Sequence, residues 1–320
     1  MSPRGTRRSV LKTGAAVGGL AITGSLAGCS DLLGGGGLGY TNWLYAPGAA
    51  EQSGEGNETE NGTEDEGVSH YLFSFLNYQK LRANEDNFGE GYNESEWISS
   101  YPLQQMGVDY DAVDSRIGIG FGGYRVVDGS FSQDEVVGTL EDNDFEEESG
   151  HADYTVLRSS TQTGLQKVLA IDGGTVVSAR AFSHQGPRDT VEALIDAKRG
   201  VEDRYVDVNE DMDLLTDELG TGVQGVGRSQ AEAEETDLAS ETFAGQVASG
   251  GVLEIDGDTA TQTWAFVFAD SDDVDTGPVE EWTETAQRFE LDDEISVSAS
   301  GRVVTVTAEN DTATVFGGSV

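Results

Sequence analysis

Apolar residues recur along this chain in two rhythms. Beyond residue 67, short runs with every second residue apolar alternate with a few stretches of helical spacing. "SHYLFSFLNYQ" (Ser69–Gln79) is apolar and aromatic and predicts a strand. "RIGIGFGGYRVVDG" (Arg116–Gly129) alternates Ile117, Ile119 and Phe121, which predicts a strand with a flexible glycine centre. Ser132 and Glu135 have capping-box spacing ahead of Val136, Val137 and Leu140, so a short helix follows. "YTVLRS", "LQKVLAID" and "TVVSARAF" predict three more strands. Gly186-Pro187 opens a helix with Val191, Leu194 and Ile195 on one face and Gly200 as its stop. Gly277-Pro278 opens another, with Val279, Trp282, Ala286 and Phe289 at helical intervals. At the C-terminal end, Ile295 and Val297 face Val303, Val304 and Val306 across a Ser-Gly turn, a further hairpin.

Two of these segments resemble each other. "VLAIDGGT" (Val168–Thr175) and "VLEIDGDT" (Val252–Thr259) share V-L-x-I-D-G-x-T, and each leads through a β-rich run to Gly-Pro and a helix. The offset is 84 residues from Val168 to Val252 and 91 from Gly186 to Gly277, which a seven-residue insertion reconciles. Coincidence is the competing explanation, because Asp-Gly hairpins are common. The pattern predicts an α+β fold, with largely antiparallel sheets and a few packed helices. It suggests two similar halves in ferredoxin-like style, at residues 68–210 and 211–320.

The first 67 residues follow a different logic. Arg4, Arg7, Arg8 and Lys12 precede a mild, Gly- and Ala-rich apolar run from about Gly14 to Leu26. That run is too short and too weak for a spanning helix, which needs about 20 apolar residues. It fits a secretory signal over residues 1–28. Thr6, Arg7, Arg8, Val10, Leu11 and Lys12 resemble a twin-arginine export signal, which implies an export machinery that carries an already folded protein. "LAGC" (Leu26, Ala27, Gly28, Cys29) resembles a lipobox. In such proteins the cysteine thiol receives a lipid, and cleavage makes the cysteine the new N-terminus. The resemblance implies a chain anchored through Cys29 on the extracellular face of the cytoplasmic membrane. Residues 29–67, rich in Gly, Glu, Asn and Ser, read as a flexible acidic linker, interrupted by "YTNWLYAPG" (Tyr40–Gly48), which is apolar enough to pack on the body. Asn57, Asn61, Asn93 and Asn310 each begin an N-glycosylation acceptor pattern.

Charge narrows the setting. The chain has 59 Asp and Glu against 18 Lys and Arg, and the four bases of residues 1–28 leave 14 for the rest. Only Lys80, Lys167 and Lys198 remain as lysines there. Such self-repulsion is screened at molar salt, where the Debye length is about 3 Å. The acidic, lysine-poor, Gly-, Thr- and Val-rich composition resembles lipoproteins of halophilic archaea. Specific motifs carry that resemblance only in the signal region. A nucleic-acid partner is disfavoured, since phosphate binding needs a basic face. Cys29 is the only cysteine, so no intramolecular disulfide can form.

Candidate chemistry is sparse. Gly118–Gly123 satisfies G-x-G-x-x-G, but a strand rather than a helix is predicted after it, against a dinucleotide site. Asp207, Asn209, Asp211, Asp213 and Glu218 occupy calcium-loop positions, a candidate weak calcium site and the sole cofactor suggested. Met212 stands where that loop needs glycine, and the same stretch reads as a helix start with Asp211 or Asp213 as cap. Asp270–Gly277 is a second acidic loop. His70, His151 and His184 lie on separate segments without metal-ligand spacing. No catalytic residue is assigned, and the sequence leans away from an enzyme. The leading expectation is a lipid-anchored surface protein of haloarchaeal type, with a non-catalytic interaction or envelope role and an unidentified protein or small-molecule partner. The alternatives are a solute-binding lipoprotein with its ligand between the two halves, and a secreted hydrolase using carboxylates.

Overall fold

The computed structural model describes residues 39–46, 71–90, 92, 106–120, 123–159, 166–180, 186–286 and 294–317. Arg7, Arg8, Cys29, Asn57, Asn61 and Asn93 lie outside the described residues, as do His70 and His184.

The strands are β1 (Leu72–Asn77), β2 (Val113–Ile119), β3 (Tyr124–Gly129), β4 (Phe145–Glu147), β5 (Thr155–Ser159), β6 (Lys167–Asp172), β7 (Thr175–Arg180), β8 (Gln224–Ser229), β9 (Gln246–Asp256), β10 (Thr259–Phe268), β11 (Glu294–Ser300) and β12 (Val303–Asp311). The helices are α1 (Tyr78–Ala83), α2 (Gln133–Asp142), α3 (Pro187–Lys198), α4 (Tyr205–Val208), α5 (Glu210–Leu219), α6 (Thr276–Thr285) and α7 (Thr312–Val315). Among the described residues, these twelve strands join one sheet in the order β11-β12-β10-β9-β8-β1-β2-β3-β7-β6-β5-β4. Each neighbouring pair is antiparallel. The protein is thus α+β, a mostly antiparallel sheet with a few helices laid on it.

Local sequence explains most of this. The Asp172-Gly173 and Asp256-Gly257 turns put glycine at φ 53° and 62°, the left-handed conformation that tight hairpins need. Both copies of the sequence repeat therefore form hairpins, β6–β7 and β9–β10. They hold different ranks in the sheet: β9–β10 lies next to the β8 seam, whereas β6–β7 lies beyond β3. The glycine run after Arg116 is not the centre of one strand. β2 and β3 pair as a hairpin, with Ile119 opposite Tyr124, because the glycines let the chain reverse. Pro187 stands in the first turn of α3, and Gly200 follows its end at φ 68°. α6 begins at Thr276, capped by the Asp275 side chain, which accepts from Gly277 N at 3.0 Å.

The sheet is covered unequally. One face carries α3, α4, α5 and a 3-10 turn (Tyr40–Trp43) over the largest core cluster. The other face carries α1, α2 and α7 on one side and α6 on the other, over two separate clusters. The boundary drawn at residue 210 falls at the start of α5, and the sheet continues across it through β1 and β8. At that seam Phe73 pairs with Gly227 and Phe75 with Gly225. A Cβ added to either glycine would overlap the partner ring, so the two rings lie across bare backbone.

The apolar interruption of the linker packs on the body. Tyr40, Trp43, Leu44 and Tyr45 are buried, at 1%, 2%, 0% and 4% exposure. Tyr40 stacks on Phe73 and Phe75, with ring centroids 5.2 and 4.5 Å apart. Burial pushes the Tyr40 hydroxyl well above the usual tyrosine range, with Asp217 adding to the rise. Lys198 Nζ lies 5.4 Å from the centre of the Trp43 ring. Deleting a buried tryptophan side chain removes both transfer energy and packing. Trp43→Ala should lower stability by about 3–5 kcal/mol, read from urea unfolding at constant molar KCl.

Candidate functional site

Among the described residues, the helical covers leave a strip across the second face of the sheet, exposed at its middle and closed at its β7 end, where Ser178 is buried. Register places Trp264, Gly251, Val226, Ser74, Gly118, Arg125 and Ser178 in one transverse row, from β10 to β7. At about 4.8 Å per strand, six steps make the row about 29 Å long. Val226 is 45% exposed, an apolar side chain left in water at the middle of a sheet. Ser74 is exposed as well.

At the β10 end the strip sinks into a hollow of about 390 Å³. Trp264, Phe266, Val226 and Leu72 give it an apolar floor, and Arg228, Ser249, Ser240 and Glu241 give it a polar side. Arg228 Nε donates to Ser249 Oγ at 3.2 Å. A second hollow, of about 230 Å³, continues past Trp264 toward Gln224, Gln262 and Val315. Glycine shapes the floor: a Cβ on Gly251 would stand 3.1 Å from Trp264 Cδ1, so the indole lies over bare backbone. That indole and Trp282 pack edge-to-face, with ring centroids 6.2 Å apart. Neither ring can tilt without disturbing the packing under α6. The arrangement offers a fixed aromatic surface with hydrogen-bonding groups beside it, suited to a sugar ring or an extended peptide rather than to a compact apolar ligand.

The β7 end is cationic. Arg116 and Arg125 lie on neighbouring strands, and Lys167 pairs in register with Arg180. Burial, with Arg180 and then Arg125 adding repulsion, brings the Lys167 ammonium down from 10.5 to about 8. Gathering four bases on one patch is costly in a chain that has so few.

The candidate calcium ligands do not converge. The stretch from Asp207 to Glu218 is helical except at Asn209, so its oxygens spread along α4 and α5 instead of wrapping an ion. Asn209, not Asp211 or Asp213, caps α5: its Oδ1 accepts from Met212 N at 2.8 Å. Asp207 pairs with Arg204 at 2.8 Å, and Asp211 with Arg302 at 2.7 Å. Glu218 accepts from Thr305 Oγ1 at 2.9 Å. Asp213 stands in the first turn of α5. Among the described residues no group of three His, Cys, Asp or Glu side chains could hold a metal. The acidic loop Asp270–Gly277 spends two carboxylates on caps, at Asp272 N and Gly277 N. His151 Nε2 lies 3.0 Å from Asp196 Oδ1 and its Nδ1 3.8 Å from Glu192 Oε1, both on α3. Asn310 lies near the end of β12, half-buried, where its Oδ1 accepts from Asp311 N at 2.8 Å.

Sequence reasoning did not single out Val226, Arg228 or Trp264. "VQGVGRS" (Val223–Ser229) carries the signal in its alternation of glycines with other residues, but only the neighbouring strands give that alternation meaning.

No protein-family model and no curated protein matches the sequence. Among solved structures, "Structure of crystal form III of TP0453" aligns over 76% of this chain and 90% of that chain, at 10% identity and a TM-score of 0.44. Crystal form I of the same protein aligns over 76% and 90%, at 8% identity and a TM-score of 0.41. Likeness that remote identifies neither a family nor a function.

Two outcomes test this geometry. Asn209→Ala should cost about 1 kcal/mol of stability, equally in calcium and in chelator, because it removes a helix cap rather than a ligand. Lys167 holds its proton less tightly in the folded state than in the unfolded chain, so stability should rise between pH 8 and 10.5. Lys167→Met should remove most of that rise, roughly 3 kcal/mol, in pH-stepped urea titrations.

Proposed function

We propose that this chain is a lipid-anchored surface protein of the haloarchaeal type whose body binds rather than catalyses. The ligand would lie on the open strip, seated on Trp264 and Val226. The observation that carries this reading is the exposed Val226 beside a braced indole, with glycine-floored hollows on either side. A contiguous apolar surface rimmed by polar groups marks interaction sites, and Val226, Trp264, Phe266 and Leu72 line one hollow together. The signal and lipobox motifs support export and anchorage through Cys29, and the acidic composition supports a high-salt setting.

The same strip also favours a solute-binding version of this role. Leu72 of β1 and Arg228 of β8 meet in register across the seam and border one hollow, so a small ligand there would touch both sides of the sheet. We read those sides as two related halves. Outward from the seam, β1-β2-β3-β7-β6 mirrors β8-β9-β10-β12-β11, and both third strands lead to a helix, α2 and α6. On this reading the likeness to ferredoxin-like units lies in the layering of helices on antiparallel strands.

A thermal-shift screen in molar KCl and NaCl, with oligosaccharides, peptides and small anions, tests the proposal. A true ligand at 100 times its Kd stabilises by about 2.7 kcal/mol. Val226→Asp and Trp264→Ala should each abolish that shift while the unliganded melt of Val226→Asp stays close to wild type. A stabilising ligand indifferent to both substitutions would place the site elsewhere.

A further inference from the structure

Arg228, in the hollow beside Trp264, is set apart from most arginines of this chain. Acids outnumber bases 59 to 18, and they claim the bases readily. Arg82, Arg158, Arg188, Arg199, Arg204 and Arg302 each lie 2.6 to 3.8 Å from a carboxylate oxygen. Among the described residues Arg228 has no such ion pair. Its guanidinium has one partner there, the buried Ser249 hydroxyl, to which Nε donates at 3.2 Å. That bond steadies the side chain and leaves both terminal nitrogens to the hollow that Arg228 lines. Strand register puts Arg228 on the same face as Val226 and Trp264. A guanidinium held in this way takes a carboxylate through two parallel hydrogen bonds.

The rim carries groups of the opposite kind. Glu241 follows a 3-10 turn (Leu238–Ser240) and stands at φ 56° and ψ 42°, a left-handed conformation uncommon outside glycine. Reciprocal backbone bonds between Asp237 and Thr242, at 2.8 and 3.1 Å, hold it there. Ser240 Oγ donates to Asp237 Oδ2 at 2.7 Å, which leaves its own oxygen able to accept. Both Glu241 and Ser240 border the hollow. Acceptors of this kind suit hydroxyl groups, whereas Arg228 suits an acid.

We propose that the hollow binds an acidic saccharide, a sugar ring that carries a carboxylate. The carboxylate meets the Arg228 fork, ring hydroxyls donate to Glu241 and Ser240, and the C–H face of the ring lies on the Trp264 indole. A neutral sugar leaves Arg228 without its acid. An acidic peptide satisfies Arg228 but brings no row of hydroxyls to the rim. The hollow, at about 390 Å³, has the size of a small-molecule site. High salt sharpens the requirement. With a Debye length of about 3 Å at 1 M, charges act mainly in direct contact, so Arg125, three strands away on β3, adds little. This inference deepens the binding role proposed above and rests on it for the place of the ligand.

Calorimetric titration of the full chain in molar KCl with trigalacturonate, its methyl ester and hexaglutamate tests the proposal. Trigalacturonate should bind at least about tenfold more tightly than the ester, the effect of a charged hydrogen bond. Arg228→Gln should bring trigalacturonate down to the affinity of the ester and leave the ester unchanged. Arg228→Lys keeps the charge without the fork and should fall between the two. Equal binding of acid and ester by the unaltered chain overturns the proposal, and so does an Arg228→Gln variant that melts like wild type yet still prefers the acid. Either result leaves Trp264-dependent binding on the strip intact. Arg228-dependent binding of hexaglutamate in place of the saccharide overturns the ligand class. If none of the three binds, this proposal fails, and the wider ligand screen with Trp264→Ala decides the binding role separately.

Discussion

Two phenylalanine rings lying across two glycines hold the body together. Phe73 and Phe75 of β1 spread over Gly227 and Gly225 of β8, and Tyr40 stacks on both. Among the described residues this is the one lateral joint between the β1-β2-β3-β7-β6-β5-β4 part of the sheet and the β8-β9-β10-β12-β11 part. Glycine in a strand is normally a weakness, since it offers no side chain to pack. Here the aromatic rings fill the vacancy, and the glycines in turn let the rings lie flat. A side chain added at either position would separate the rings from the backbone and the docked turn from the rings.

That constraint shapes both faces. On one face the rings, the docked turn and the helices α3 and α5 make a continuous core. On the other, the same strands present Ser74 and Val226 to solvent, and the cover divides into two clusters with the strip between them. Carboxylates and their amides meanwhile work locally. Asn77, Asn209, Asp237, Asp270, Asp275 and Asp311 each accept a backbone N–H at a helix start. Part of the acidic composition thus serves as ordinary helix punctuation.

Local signals were legible and lateral ones were not. The hairpins at Asp172-Gly173 and Asp256-Gly257, the helices beginning near Pro187 and Pro278, and the closing hairpin all follow from short-range chemistry. The strand β8 escaped notice because its glycines carry no hydrophobic rhythm; their reason lies in β1, some 150 residues earlier. The acidic run from Asp207 misled in the opposite direction. Spacing suited to a metal loop also suits α5, and Asn209 settles the matter by capping it. The candidate site was invisible for a related reason, since Trp264, Gly251 and Val226 become neighbours only through register.

An open sheet of this width must end somewhere, and unpaired strand edges invite copies of the same protein to add on. One outer strand, β4, is three residues long and turns Glu146 and Glu147 to solvent. The other, β11, offers exposed serines at positions 296, 298 and 300, with Ile295 the exposed large apolar side chain on it. At molar salt, where charge repulsion between molecules is screened within a few ångströms, brevity and polarity at the rims protect against fibrillar self-association when net charge cannot.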